Sequence, residues 1–163
     1  MTARFALVAW LCLSCGARTD LGGTRGDASA PAVTELRGAV VNDCAPNDAP
    51  AIAFPLALPG AAVVPSCANS VVSALSIRIS IWGDIPKGPG TYALGDGSFA
   101  SGSIAVYCPL QGQCVAANSG TLVLTLLDGT SATGSFSLAM PDQTTMTGKF
   151  TAISVCHNPL TCG

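Results

Sequence analysis

The chain is poor in charged side chains. Only 10% of its 163 residues are Asp, Glu, Lys or Arg, whereas charged residues make up about 25% of a typical soluble domain. Its formal net charge is −2, and it has no basic cluster of the kind that neutralises phosphates when a protein binds nucleic acid. The composition therefore argues against nucleic acid as a partner and leaves Ser, Thr, Asn and Gly to supply most of the polarity.

Groups that could perform catalysis are also scarce. The chain has one histidine, His157, and its acidic residues are spread thinly. Asp84, Asp96 and Asp142 stand beside Gly or Pro and are interpreted as turn residues. Neither a P-loop nor the Gly-x-Ser-x-Gly turn of serine hydrolases occurs. No cofactor is predicted, and the one enzymatic alternative is a hydrolase that uses His157 with Asp and Ser side chains.

No long apolar segment follows the N-terminus. The longest, residues 51–64, is interrupted by Pro55 and Pro59, and it is shorter than the roughly 20 residues that a spanning helix needs. The sequence therefore predicts no transmembrane helix in this part of the chain.

Residues 1–14 have the pattern of a signal peptide. Arg4 precedes an apolar run, residues 5–13, which is too short to span a bilayer as a helix and fits the hydrophobic region of such a signal. The segment Leu13-Ser14-Cys15-Gly16 that follows is similar to the lipobox of bacterial lipoproteins. An ordinary cleaved signal peptide is the alternative interpretation.

The lipobox resemblance implies an anchor and a location. Cys15 is expected to carry a diacylglycerol, to become the mature N-terminus and to hold the protein on a membrane of the bacterial cell envelope. Gly16 stands where an aspartate would retain such a lipoprotein at the inner membrane, so the outer membrane is the expected location. Residues 15–32 are small and polar without hydrophobic periodicity, which predicts a lipidated flexible tether. Residues 33–163 are then expected to form one domain.

The cysteine count supports an exported domain. The chain has eight cysteines; Cys12 would leave with the signal, and Cys15 would carry lipid. An even number remains, as expected for three disulfides in an oxidising compartment, formed by Cys44, Cys67, Cys108, Cys114, Cys156 and Cys162.

The sequence leaves the pairing of these cysteines open. The C-x5-C spacing of Cys108 with Cys114 and of Cys156 with Cys162 allows two short rings, which would leave Cys44 to pair with Cys67. A metal site that includes His157 is the alternative, but zinc sites more often use C-x2–4-C spacing. Disulfides are therefore predicted and a metal site is not.

From Val33 onward, apolar residues recur with period two, which indicates strands. The clearest case is the segment from Leu75 to Ile81, which places four aliphatic residues on one face. With Pro- and Gly-rich turns between such segments, we expect an all-β domain: a single antiparallel β-sandwich or a small closed barrel of about eight strands, stapled by disulfides.

The last third of the chain reads as a three-strand meander. Asp128-Gly129 is a strong hairpin signal, and a three-residue loop of residues 128–130 would set Leu122 against Phe136 and Leu126 against Ala132. The similar segments 133–138 and 147–152 predict a second hairpin about residues 141–143, with Phe136 opposite Phe150 and Met140 opposite Met146.

Trp82 and Tyr92 flank a loop rich in Pro and Gly. Together they could form an aromatic patch that contacts a sugar or peptide ligand, or they could pack at the rim of the core. We predict a non-catalytic structural or interaction module of the envelope, with a membrane, an envelope protein or a glycan as partner. The alternatives are a calycin-like carrier of a small apolar ligand and the hydrolase that uses His157.

Overall fold

A computed structural model describes residues 33–70, 74–157 and 162, and strands dominate them. The one other regular element among these residues is a 3-10 turn, Phe99–Ser101. The all-β class is therefore confirmed, but the expected count of about eight strands is too low. The described residues form nine strands: β1 (Val33–Cys44), β2 (Pro50–Ala57), β3 (Ser76–Ile81), β4 (Gly90–Leu94), β5 (Ser103–Cys108), β6 (Val115–Ala116), β7 (Ser119–Leu127), β8 (Ser131–Ala139) and β9 (Thr145–Val155).

Strand β3 shows how alternation in the sequence becomes a buried face. Ile77, Ile79 and Ile81 are all buried, because successive side chains of a strand point to opposite faces of the sheet. The fourth aliphatic residue of this pattern, Leu75, lies outside the strand and has a positive φ of 56°. Its carbonyl accepts a hydrogen bond from Leu58 N at 2.8 Å, so Leu75 closes the loop before β3 and does not extend the strand.

The nine strands form one sheet in the order β4-β7-β8-β9-β1-β2-β3-β5-β6. Neighbouring strands pair antiparallel except β1 and β9, which pair parallel. The prediction of a wholly antiparallel sheet is therefore wrong at this pair. The pairing joins Val33 to Gly148 and Val40 to Val155, and no turn signal links segments so distant in sequence.

The two edges of the sheet approach each other. Ala117 N, between β6 and β7, donates to Ala105 O of β5, and Asn118 N donates to Ala139 O of β8. A bridge between Asp96 and Ile104 joins the chain beyond β4 to β5. The sheet thus curls around one core, whose largest fully buried apolar side chains come from β1, β2, β3, β7, β8 and β9: Leu36, Val40, Phe54, Leu56, Ile77, Ile79, Leu122, Leu124, Leu138 and Phe150.

The hairpin of β7 and β8 has the predicted position but not the predicted register throughout. Leu122 lies opposite Phe136, as expected. A bulge between Leu124 and Leu126 then shifts the ladder, so that Leu126 pairs with Thr133 and not with Ala132. The extra residue turns Leu126 outward, where 39% of its surface is exposed.

The hairpin of β8 and β9 differs from its predicted register by two residues. Phe136 lies opposite Gly148 and not Phe150, and Leu138 takes the place predicted for Met140 opposite Met146. A Cβ atom added at Gly148 would lie 2.5 Å from Cζ of Phe136. The phenyl ring of Phe136 therefore covers Gly148. If Phe136 lay opposite Phe150, as predicted, Gly148 would be left uncovered.

Three disulfides are present, as predicted. Cys108 pairs with Cys114, which is one of the two short rings considered. The other ring, Cys156 with Cys162, does not form, and neither does the remaining pair, Cys44 with Cys67. Instead, Cys44 pairs with Cys162 and Cys67 pairs with Cys156.

Strand pairing explains the long-range disulfides. Cys156 N donates to Val40 O of β1, which holds Cys156 on the outer face of that strand, where it packs with Ala39, Val41 and Ala53. Cys67 lies across from it, with a Cα–Cα distance of 5.3 Å. The disulfide therefore fastens the loop before β3 over the outer face of β1 and β2.

We expect the long-range disulfide to stabilise the fold more than the short ring. Replacing Cys67 and Cys156 by alanine should lower the free energy of unfolding by about 2 kcal/mol more than replacing Cys108 and Cys114, because loop-closure entropy grows with the logarithm of loop length. The separations are 89 and 6 residues. Urea unfolding of both double variants measures the difference, and equal losses would contradict this expectation.

Gly148→Ala should destabilise the protein by about 1–3 kcal/mol, the usual cost of overpacking a core. The added methyl group would press on Phe136 and on Leu36 Cδ1, 3.0 Å away. Gly129→Ala is the matched control, since nothing lies within 4 Å of a Cβ atom there. Thermal unfolding compares the two variants, and an unchanged midpoint for Gly148→Ala would refute the packing described.

Candidate functional site

A cleft of about 270 Å³ lies between β4 and the adjoining ends of β3 and β5. Residues 91–93 of β4 line one side, and Ile81, Asp84 and residues 101–103 line the other. We call it the distal cleft, because Ile81 in its lining is level, through β2, with the end of β1. It is our candidate functional site.

The strand register relates each wall of the distal cleft to a different part of β1. Ile81 pairs with Ile52 of β2, and Ile52 pairs with Asn42 near the end of β1. Strand β1 begins at Val33, and nine residues of strand extend about 30 Å. On the other side of the sheet, Tyr92 is level with Leu122, Phe136, Gly148 and Val33, so the two walls of the cleft are staggered along the strands where the curled sheet closes.

A tight backbone contact forms the floor of the cleft. Trp82 N and Gly83 N both donate to the carbonyl of Gly102, at 2.8 and 2.9 Å. Gly102 has a φ of 66°, and a Cβ atom there would lie 2.8 Å from Cα of Gly83. Only glycine meets both requirements without strain, so this position fixes the shape of the floor.

The serine hydroxyls of the floor form hydrogen bonds with other groups of the floor. Ser103 is buried, and its Oγ accepts a hydrogen bond from Gly95 N at 2.9 Å. Ser101 Oγ donates to Ser98 O at 2.8 Å. Asp96, interpreted from the sequence as a turn residue, accepts from Ser98 N at 2.9 Å. These bonds hold the floor in one shape.

Asp84 is the one carboxylate of the cleft lining. Within the described ranges the only ion pair joins Arg78 to Asp43, with 2.7 Å between Nη2 and Oδ2. Asp84 therefore has no cationic partner among those residues. Its charge is available to a bound group.

The two aromatic residues predicted to contact a ligand differ in their relation to the cleft. Tyr92 lines the cleft, packs against the core, and donates from its hydroxyl to Gly88 O at 2.8 Å. Trp82 is half-buried and does not line the cleft. Its Nε1 is buried without a hydrogen-bond partner in the part of the chain that the structure describes. The ligand contact expected of both side chains stays a prediction, and Tyr92 is the one of the two that lines this cleft.

His157 lies away from the distal cleft. Its Nε2 forms a hydrogen bond with Gly129 O in the turn between β7 and β8. A carbonyl oxygen only accepts, so this nitrogen carries a proton and cannot act as a base there. In the same turn, Asp128 Oδ1 accepts from Thr130 N and Ser131 N. The hydrogen bonds of His157 and Asp128 are therefore both made with groups of this turn.

The proximal cavity, about 310 Å³, lies near the start of β1. Glu35, Arg37, Val64 and residues 57–61 line it. Residues 33–70, 74–157 and 162 contain no group of three or more His, Cys, Asp or Glu side chains placed to hold a metal ion. They also contain no helix long and apolar enough to cross a membrane.

Sequence reasoning located part of this site. The sequence points to Tyr92, whereas it indicates a turn at Asp84 and no site at residues 101–103. The Gly- and Ser-rich stretch 95–103 was the available signal for a tight loop. Cys15 lies outside the described residues, as do residues 1–14 and the rest of the predicted tether.

Comparisons with protein-family models, with curated proteins and with solved structures find no match to this chain. The site is therefore interpreted from its own geometry.

Asp96 should titrate below its ordinary pKa of 3.8, first because Ser98 N–H donates to its carboxylate and next because the Ser98 hydroxyl does so. Since the pKa of Asp96 is lower in the folded protein than the value near 3.9 in the unfolded chain, the ionised carboxylate stabilises the fold at pH values above the unfolded pKa. This contribution is lost as the pH falls through the folded pKa. An NMR titration of the side-chain carboxyl, compared with the urea-unfolded protein, measures the shift. A folded pKa at or above the unfolded one would contradict it.

Proposed function

We propose that this protein is a lipid-anchored, non-catalytic interaction module of the bacterial cell envelope, held by a diacylglycerol on Cys15. The observation that carries the proposal is the division of the cysteines. All six cysteines beyond residue 32 pair with one another in three disulfides. Cys15 has no place in that framework and is left for lipid, and disulfides are typical of an exported domain.

The position of the distal cleft supports this role. The tether, residues 15–32, would join the domain at the start of β1, and 18 residues can extend about 60 Å at most. One wall of the cleft, Ile81, is level with Asn42 near the end of β1, and the other, Tyr92, is level with Val33. A domain held off the bilayer by a tether of this length would leave the cleft open to other molecules of the envelope. Gly16 favours the outer membrane as the site of anchoring.

The shape of the sheet favours the closed barrel over the sandwich. Ala117 and Asn118, adjacent in sequence, bond to β5 and to β8 respectively. Both sides of the curled sheet contribute to one core, in which the rings of Phe54 and Phe150 lie 6.1 Å apart.

Both alternative functions have less support. A carrier of an apolar ligand needs room between the sheet faces, and here large side chains such as Phe54 and Phe150 pack there. A hydrolase that uses His157 needs a nucleophile beside the imidazole, and the hydrogen bond of this ring among the described residues joins Nε2 to Gly129 O and to no nucleophile.

Cys15→Ala should abolish incorporation of an alkyne-tagged palmitate analogue and release the protein from the membrane fraction. Two acyl chains give stable anchoring, and none remains in this variant. Cys12→Ala is the matched control, since it removes the neighbouring cysteine and should keep both the label and the membrane fraction. Labelled or membrane-bound Cys15→Ala would refute the anchor. Loss of both properties in the control would refute the assignment to Cys15.

A further inference from the structure

We propose that the distal cleft binds an extended peptide segment as an added strand on β4, with a basic side chain of the peptide beside Asp84. This inference rests on the proposed function of an interaction module and names the kind of partner.

The free edge of β4 is the first observation. β4 is the last strand at one side of the sheet and pairs only with β7, from Gly90 opposite Leu124 to Leu94 opposite Gly120. Alternate residues of a strand direct N–H and C=O groups to each of its edges. No backbone hydrogen bond between described residues uses the second edge between Gly90 and Leu94. A row of such groups is a template for another strand.

The distal cleft lies along this edge. Residues 91–93 form one wall, while Ile81 and Ser103, the paired ends of β3 and β5, stand across the gap. Directly after β4, a β-bridge between Asp96 and Ile104 joins the chain to β5 and closes the gap there. The two strands diverge from this bridge, so the cleft opens beside the edge of β4 as a wedge. A peptide there would gain main-chain hydrogen bonds from β4, as in other cases of strand addition.

The charge of the cleft selects the peptide. Asp84 is the only carboxylate in the lining and has no ion-pair partner within the described residues. A Lys or Arg side chain of the bound strand would complement it. The remaining lining side chains are short apart from Ile81 and Tyr92, so small or β-branched peptide residues fit beside β4.

A glycan fits the cleft less well. Sugar rings stack on exposed aromatic faces, but Tyr92 packs against the core and its hydroxyl is bonded to Gly88 O. Trp82 does not line the cleft. The free backbone edge of β4 is thus a larger recognition element than the aromatic side chains, and such an edge binds polypeptide.

The test uses the mature protein in detergent micelles. The probes are blocked hexapeptides with lysine fixed at the third position and Val, Thr, Ala or Ser elsewhere, a matched set with glutamate at that position, and an N-acetylglucosamine trimer. Amide hydrogen exchange by NMR reports on residues 90–94, and fluorescence anisotropy of labelled peptides gives the affinity. We expect the lysine peptides to bind and to slow exchange at alternate amides of β4.

Two variants separate charge recognition from folding. Asp84→Asn should weaken binding of the lysine peptides about fivefold, the size of an exposed ion pair. Asp48→Asn is the matched control, because Asp48 is an exposed acid in the turn after β1, at the same end of the sheet. It should leave the affinity unchanged. Thermal unfolding of both variants checks that they are folded.

Several results would overturn the inference. They are failure of every lysine peptide to bind, equal binding of the glutamate set, binding without slower exchange in β4, and capture of the sugar trimer in place of peptide. These results leave the palmitate labelling of Cys15 unaffected, so failure of the cleft and failure of the anchor are told apart.

Discussion

The pairing of β1 with both β2 and β9 is the constraint on which the rest of the structure depends. One edge of β1 forms an antiparallel ladder with β2, and the other forms the parallel ladder with β9. This strand thus joins the two halves of the sheet and commits the chain to one closed core. Its inward side chains, Leu36 and Val40, lie in that core, while Ala39 and Val41 are buried on the outer face. Burial on both faces makes β1 costly to displace.

The long-range disulfides secure the same strand. Cys44 at the end of β1 is joined to Cys162, and Cys156 is held on Val40 O and joined to Cys67. A chain with so few charges stabilises its fold through apolar packing and covalent links more than through ion pairs. The single ion pair among the described residues, Arg78 with Asp43, is partly exposed, and such pairs contribute little.

Local signals in the sequence predicted local structure well. The alternation of Ile77, Ile79 and Ile81 predicted a buried strand face, and Asp128-Gly129 predicted the hairpin that sets Leu122 against Phe136. The predicted strand registers were wrong farther along the two hairpins, where a single local packing contact decides the register. The bulge near Leu126 and the covering of Gly148 by Phe136 are such events, and apolar matching alone does not predict them.

Non-local features were beyond the sequence for a different reason. The partner of Cys156 is decided by where β9 lies against β1. The C-x5-C spacing therefore predicted the wrong partner, and the strand pairing explains the observed one. The distal cleft likewise joins segments remote in sequence. Tyr92 was found because aromatic residues are conspicuous, but Asp84 gains its significance only from the free edge of β4 across the gap. Under the proposed function, the eight cysteines divide into Cys12, which leaves with the signal, Cys15 for lipid, and six for the fold.

Mass spectrometry of the non-reduced, chymotrypsin-digested mature protein tests that division most directly. The account predicts peptides linked through Cys44 and Cys162, Cys67 and Cys156, and Cys108 and Cys114, with Cys15 in none of them. A disulfide that includes Cys15, or free thiols at these six positions, would contradict it.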